Sequence, residues 1–98
     1  MSYEDYRRCG AIICKHVSDG QHPILLATRG EPLQPEDSGW QFLCGTFNHT
    51  TSDAALWLLE EVAQLDPSLL PILDAEPLSS FRRSGITDSW RSLAYTAE

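Results

Sequence analysis

Hydrophobic and polar positions alternate most regularly in the segment 37–45, which reads Asp-Ser-Gly-Trp-Gln-Phe-Leu-Cys-Gly. Trp40, Phe42 and Cys44 recur with a period of two residues, so their side chains share one face of a β-strand. Aromatic side chains of this size are normally buried in a small domain. The segment therefore predicts a core strand, with Trp40 and Phe42 packed against a helix.

Turn residues and glycines bound this strand. Asp37 and Ser38 open it, because their side chains can hydrogen-bond the backbone of a turn, and Gly45 closes it. Gly39 permits a bulge or a close backbone approach directly before the tryptophan. The motif is interpreted as structural, and its residues are Ser38, Gly39, Trp40, Phe42 and Gly45.

Two short apolar runs, 10–17 and 23–29, precede this strand and predict two further strands. The connection 18–22 has the length of a hairpin loop, which predicts that these two strands pair antiparallel. Residues 1–8 are polar and predict a loose lead-in. Residues 30–36 contain two prolines and predict an exposed loop.

Apolar residues in the segment 54–65 follow a helical spacing, after a run of N-capping residues at 48–53. This segment predicts one long helix, whose core-facing side chains are Ala55, Leu58, Leu59, Val62 and Leu65. Asp66 and Pro67 then predict a new helix start, as N-cap and first helical residue. Pro71 keeps this second helix short, because it lacks the N–H that a longer helix would bond.

The rest of the chain predicts two more strands, over 78–83 and 86–95. The element order β-β-β-α-α-β-β is typical of an α+β domain. At 98 residues the chain has room for one modest core. We therefore predict a single α+β domain over 1–98, with an antiparallel sheet of about five strands and one long and one short helix on one face.

Composition and charge narrow the class of function. Hydrophobic residues make up 42% of the chain, which excludes a disordered protein. The net charge of −7 repels phosphate backbones and anionic membranes, so neither nucleic acid nor a membrane is an expected partner. The N-terminus lacks the basic start and apolar run of a signal peptide. We therefore expect a cytoplasmic protein.

The cysteines raise the question of a metal site. Cys14 and His16 point the same way from one strand and, with Cys44, could supply metal ligands. The spacing from Cys9 to Cys14, however, is wider than in the knuckle of a structural zinc site. Buried reduced thiols are the preferred interpretation, so three free cysteines, no metal and no cofactor are expected.

Catalysis by a cysteine and a histidine is the other chemical possibility. No oxyanion-type glycine turn precedes a cysteine in the sequence. No acid is placed to orient His22 or His49 as a general base. We predict no catalytic residue and no enzyme activity.

Three acidic residues, Glu31, Glu36 and Asp37, cluster around the loop before the core strand. They could steer a basic protein partner by their charge, and we predict them as partner-binding positions. A solvated loop is the alternative for Glu31 and Glu36. For Asp37 the alternative is a structural one, in which its carboxylate bonds the turn.

Four segments together resemble a known family: 29–32 (Arg-Gly-Glu-Pro), 37–45 (quoted above), 65–73 (Leu-Asp-Pro-Ser-Leu-Leu-Pro-Ile-Leu) and 80–83 (Ser-Phe-Arg-Arg). In this combination the chain resembles the immunity protein 33 family, also catalogued as domain of unknown function 2185. The chain departs from the family pattern at Phe47, where the family carries an acidic residue two positions after the glycine that ends the strand. A role that depends on a carboxylate there is not expected in this protein.

The resemblance implies a bacterial immunity protein, which binds a cognate protein toxin and neutralises it by occlusion. An acidic chain suits a basic toxin. The alternative is a non-catalytic ligand-binding or regulatory domain with another partner. A toxin gene beside this one would separate the two readings.

Overall fold

The computed structural model describes residues 3–20, 22–32, 34–45 and 54–93, and the structural statements below concern these residues. It confirms an α+β domain, built from one six-stranded sheet and a few short helices. The chain passes in order through α1 (Tyr3–Tyr6), β1 (Gly10–Cys14), α2 (Lys15–Ser18), β2 (Leu26–Arg29), β3 (Asp37–Leu43), β4 (Ala54–Leu58), α3 (Leu59–Leu65), the 3₁₀ helix Pro67–Ile72, β5 (Ser80–Arg82) and β6 (Arg91–Ser92).

The sheet is mixed rather than fully antiparallel. Its strand order is β4-β1-β3-β2-β5-β6, in which β1 and β3 are parallel and the other neighbours are antiparallel. The hairpin predicted between residues 10–17 and 23–29 is wrong, because β3 lies between the two strands. The first strand also ends at Cys14, where the chain turns into α2. Strand β2 pairs instead with β3, with Arg29 opposite Trp40.

The long helix predicted over 54–65 is a strand followed by a shorter helix. Its first part is β4, which pairs antiparallel with β1 along its whole length. Helix α3 begins at Leu59. The N–H of this first residue has no acceptor within the helix, and it donates to Cys9 O at 2.9 Å. The Glu61 side chain accepts from Leu58 N at 2.9 Å, as in one half of a capping box. Pairing with β1 therefore outweighs the helical spacing of this segment.

The second helix is confirmed as a short one, and it is a 3₁₀ helix. The Asp66 carboxylate caps it, accepting from Ser68 N at 3.1 Å. Its side chains Leu69 and Ile72 are buried, which fixes the helix to the core. The short 3₁₀ form suits a segment with Pro71 inside it, since a proline lacks the N–H that a longer helix would bond and 3₁₀ pieces are short.

The two C-terminal strands are present but short. The strand predicted over 78–83 is reduced to β5, because Leu78 adopts a φ of +74°, outside the range of any strand residue. Within the described part of 86–95, strand structure is confined to β6. Asp88 holds the preceding residues in a turn, since its carboxylate accepts from the backbone N–H and the hydroxyl of Ser84.

The core lies between one face of the sheet and the helices. Trp40, Phe42 and Cys44 are 1%, 0% and 0% exposed, which confirms the strand parity predicted for 37–45. The rings of Trp40 and Phe42 stack with centroids 5.6 Å apart. The same cluster contains apolar side chains from α2, α3 and the 3₁₀ helix, namely Val17, Leu59, Val62, Ala63, Leu69 and Ile72.

The N-terminal lead-in packs against this core in the part that the structure describes. Tyr3–Tyr6 form one helical turn, α1, and the rings of Tyr3 and Tyr6 lie against the core cluster. Tyr3 N also donates to the Asp74 carboxylate at 2.5 Å. These two tyrosines hold the otherwise polar segment against the core.

Candidate functional site

The side chains of Asp37 and Ser38 hold the opening of β3. The Asp37 carboxylate accepts from Gly39 N at 2.9 Å. The Ser38 hydroxyl donates to Gly10 O at 2.7 Å and accepts from Trp40 N at 3.2 Å. Ser38 is fully buried, which strengthens these bonds by excluding water. Both side chains therefore have a structural function in the turn.

Gly39 provides the close backbone approach expected before the tryptophan. The register of β1 against β3 shifts between Gly10 and Ile12, and Gly39 lies opposite this shift. Its φ is +84°, and a Cβ at this position would overlap the carbonyl oxygen of Gly30. Gly30 N donates to Gly39 O at 2.8 Å, which fixes the end of β2 to β3. A side chain at residue 39 would separate these two strands.

A buried arginine joins β2 to the opening of β3. Arg29 is 2% exposed, its Nε donates to Ser38 O at 2.9 Å and its Nη1 donates to Ala75 O at 2.7 Å. Its guanidinium lies 4.4 Å from the centroid of the Tyr6 ring, a cation–π contact. Sequence reasoning misses this role, because arginine is rarely buried and no local pattern marks the carbonyl groups that it meets.

A second buried arginine joins β5 to the 3₁₀ helix. Arg83 is 3% exposed, and its Nη2 lies 2.5 Å from Asp66 Oδ2. Its Nη1 donates to Ser68 Oγ and its Nε to Ile24 O, both at 2.9 Å. The ring of Trp90 covers the guanidinium at 4.3 Å. This network fixes the end of the sheet to the helical layer.

An apolar groove of about 540 Å³ lies along β4 and β1. Ile12 and Leu58 are 38% and 40% exposed there, and Leu56 is 76% exposed. Ile12 and Leu56 are register partners on adjacent antiparallel strands, so their side chains lie side by side on the sheet face away from the core. Three acidic side chains and one basic side chain also line the groove: Glu36, Asp37, Glu61 and Arg8.

Two of the three predicted partner-binding acids line this groove. Glu36 is exposed, whereas Asp37 is half-buried and its carboxylate bonds the turn. Glu31 is exposed and is not a lining residue. Glu61 joins the rim from α3, and sequence reasoning misses it because it assigns a role only to the core-facing side chains of the segment 54–65. The floor of the groove is missed for a related reason, since 54–58 is assigned to that helix.

A second groove, of about 580 Å³, lies beside the Arg83 network and includes His22. The Ser68 hydroxyl at this groove donates to Asp66 Oδ1 at 2.6 Å. It also accepts from Arg83 Nη1 and from Trp90 Nε1, at 2.9 and 3.1 Å. The hydroxyl therefore makes one donated and two accepted hydrogen bonds within the structural network.

Two thiols and an imidazole lie together where β1 and β3 end. The ligand atoms of Cys14, His16 and Cys44 all lie within 4.8 Å of one another, and Cys44 Sγ is 3.9 Å from His16 Nδ1. Both cysteines are buried and His16 is half-buried. Burial raises the pKa of the Cys14 thiol, an effect that backbone hydrogen bonds from Val17 and Cys44 oppose in part. Cys9 lies elsewhere, with its thiol 3.4 Å from Pro35 O.

Several expectations concern residues outside the described ranges. Phe47, the departure from the family pattern, is one of them, as are the capping run 48–53 with His49 and the final residues of the predicted last strand. Gly45 is the last described residue before this gap, and its φ of +73° suits a residue that closes a strand.

Together these features define a small α+β domain in which polar networks hold the fold and one sheet face carries an exposed apolar groove. The sequence model of the Imm33 immunity protein domain matches residues 11–94. The chain therefore belongs to the Imm33 immunity protein family, as its resemblance to that family indicated. No curated protein and no solved structure shows a significant match to the chain. Every helix in the described ranges is too short to cross a membrane.

Proposed function

We propose that this protein is a bacterial, cytoplasmic immunity protein that binds a cognate toxin and neutralises it by occlusion. Membership of the Imm33 family supports a toxin as partner. The exposed groove along β4 and β1 is the observation that supports a binding surface, and we place the toxin there. The mechanism is non-catalytic, because covering a functional surface of the toxin is sufficient to inhibit it.

The apolar floor of the groove is the strongest reason to place the toxin there. Leu56 is 76% exposed beside Ile12 and Leu58, on strand β4 at one end of the described sheet. Exposed apolar side chains on an edge strand promote aggregation unless a partner covers them. A buried apolar centre is also what most protein interfaces contain.

The rim of the groove specifies the chemistry of the partner. Its carboxylates outnumber its single guanidinium, Arg8, and the whole chain carries a net charge of −7. A toxin surface with an apolar side chain flanked by lysine or arginine is complementary to this arrangement. Glu36 is the rim acid best placed for such a contact, because it is exposed and Asp37 is engaged in its turn.

Leu56→Asp tests the floor of the groove. It should weaken toxin binding by about 30-fold or more, because a central apolar contact is typically worth about 2 kcal/mol and the new charge would be buried unpaired. The stability of the free protein should hardly change, since Leu56 is 76% exposed. The measurement is the dissociation constant for the product of the neighbouring toxin gene, with thermal unfolding of both proteins.

Ile86→Asp is the matched control, because Ile86 is 70% exposed and lines the second groove instead. It introduces the same charge at similar exposure and should leave toxin binding unchanged. If Ile86→Asp abolishes binding and Leu56→Asp does not, the second groove is the toxin site. If Leu56→Asp instead converts a dimer of the free protein into a monomer, the β4 face is a contact between two copies.

Glu36→Gln tests the charged rim. Rim charges act mainly on the rate of association, and salt screens them over about 8–10 Å near physiological ionic strength. The variant should slow association with a basic toxin, most clearly at low salt, and leave dissociation nearly unchanged. Stopped-flow or surface-based kinetics at two salt concentrations provides the measurement.

Glu31→Gln supplies the comparison for this charge effect. Glu31 is also exposed, but it does not line the groove. The variant that combines Glu31→Gln with Glu36→Gln should therefore associate with the toxin only slightly more slowly than Glu36→Gln alone. Equal effects of the two single variants would mean that total charge, and not the groove rim, attracts the toxin. If even the wild-type protein fails to bind the neighbouring gene product, the ligand-binding or regulatory alternative takes precedence.

A further inference from the structure

The cluster of Cys14, His16 and Cys44 arises directly from the topology of the sheet. Strands β1 and β3 are parallel neighbours, so their C-terminal ends meet at the same edge. Cys14 is the last residue of β1, His16 follows within α2, and Cys44 follows the last residue of β3. The parallel pairing, which the sequence does not reveal, brings a distant cysteine to the other two residues.

The spacing of the three ligand atoms is close to that of a tetrahedral metal site. Tetrahedral zinc bonds of about 2.3 Å to sulfur and 2.0 Å to nitrogen place a sulfur and a nitrogen about 3.5 Å apart and two sulfurs about 3.8 Å apart. The observed 3.9 Å between Cys44 Sγ and His16 Nδ1 is near the first of these values, and all three atoms lie within 4.8 Å of one another. Side-chain movements of about 1 Å or less would therefore bring all three onto one ion.

We propose that Cys14, His16 and Cys44 form a zinc-binding site, independent of the proposed toxin interface. Two thiolates and an imidazole are a ligand set that prefers zinc to hard cations such as magnesium and calcium. The three side chains leave a fourth position for a further ligand. A bound ion would tie the β1–α2 turn to the end of β3. The proposal replaces the expectation of no metal, which rested on the spacing of Cys9 and Cys14.

The backbone N–H groups of Val17 and Cys44 hydrogen-bond the sulfur of Cys14. Zinc binds cysteine as the thiolate, so this thiol would lose its proton on binding. Zinc supplies the positive charge that makes the buried thiolate favourable, so binding should release protons and should tighten as the pH rises.

Cobalt titration of the reduced full-length protein tests the site, because tetrahedral cobalt with thiolate ligands absorbs strongly in the near ultraviolet and the visible. We expect one cobalt per chain with a thiolate-to-cobalt charge-transfer band, displaced by one equivalent of zinc. His16→Gln and Cys44→Ser should each weaken binding by at least about tenfold. Circular dichroism checks that each variant is folded. His16→Gln alone decides the question if Cys44→Ser does not fold, since His16 is half-buried.

Two matched variants separate this site from other thiols and imidazoles of the chain. Cys9→Ser removes the cysteine outside the cluster, and His22→Ala removes the imidazole whose ring lies 6.0 Å from that of His16. Both should bind cobalt with the same stoichiometry and spectrum as the wild type. The proposal is wrong if the wild type shows no charge-transfer band. It is also wrong if Cys9→Ser removes the band, or if His16→Gln and Cys44→Ser both retain wild-type affinity.

Discussion

Trp40→Ala should lower the free energy of unfolding by about 3–5 kcal/mol, the range for truncating a large aromatic side chain in a packed core. Trp40 is 1% exposed, stacks on Phe42 at 5.6 Å and lies 6.3 Å from the Phe81 ring. It also lies 5.9 Å from the Arg29 guanidinium, so the truncation would disturb the joint between β2 and β3 as well. A loss of this size is a large fraction of the stability of a small domain.

Urea unfolding followed by far-ultraviolet circular dichroism measures this effect. Leu56→Ala is the control, because its side chain is largely exposed and its loss should change stability by no more than about 0.5 kcal/mol. Equal midpoints for the Trp40→Ala variant and the wild type would show that Trp40 does not pack as described. A large loss of stability for Leu56→Ala would show that the groove along β4 and β1 is covered in the free protein.

The segment 37–45 could be predicted from sequence because its signals are local. A period of two residues sets which side chains are buried, and the side chains of Asp37 and Ser38 each accept from a backbone N–H two residues later. The Asp66 cap is local in the same way, since its carboxylate bonds a backbone N–H two residues later. Such contacts can be predicted from a few consecutive residues.

The strand order could not be predicted, because it depends on pairings between distant segments. Residues 54–58 are all apolar, a run that suits a strand or a helix equally well. The segment forms a strand because it pairs with β1, which lies about 40 residues earlier in the chain. The same reasoning applies to β1 and β3, whose parallel pairing requires a crossover that no hairpin signal indicates.

The candidate site was predictable only in part, for the same reason. Glu36 could be found as an exposed acid of a loop, but its neighbour Asp37 is engaged in a turn. The apolar floor of the groove depends on β4, and a helix over 54–58 does not predict it. The sequence offers Cys14, His16 and Cys44 as possible ligands, but only the parallel pair of β1 and β3 shows that they lie close together. Sites that combine distant strands require the topology first.

The buried arginines of the two networks lie within the four segments that resemble the family. Arg29 and Ser38 join two of the resembling segments, and Asp66 and Arg83 join the other two. In this chain the contacts between these segments hold the fold together. The apolar floor of the proposed toxin interface, on β1 and β4, lies outside all four segments.

Asp66→Ala should destabilise the protein by about 3 kcal/mol, because it leaves the Arg83 guanidinium buried without its ion-pair partner. Arg83 is 3% exposed, whereas the Asp66 side chain is 21% exposed, so the arginine is the group that bears the larger desolvation cost. The same substitution removes the cap of the 3₁₀ helix, whose loss typically costs about 1 kcal/mol.

Asp66→Asn is the matched comparison, since an asparagine can still cap the helix but carries no charge. It should recover the capping part of the loss and no more.

A double-mutant cycle with Arg83→Met separates the ion pair from its surroundings. Removing both partners leaves no unpaired charge in the core, so the double variant should be more stable than the sum of the single losses predicts. We expect a coupling of about 1–3 kcal/mol, the range for residues in one network. The coupling should persist at high salt, because a buried pair is poorly screened. Additive losses, or a coupling that disappears in salt, would mean that Arg83 is held by its bonds to Ser68 and Ile24 and not by the charge of Asp66.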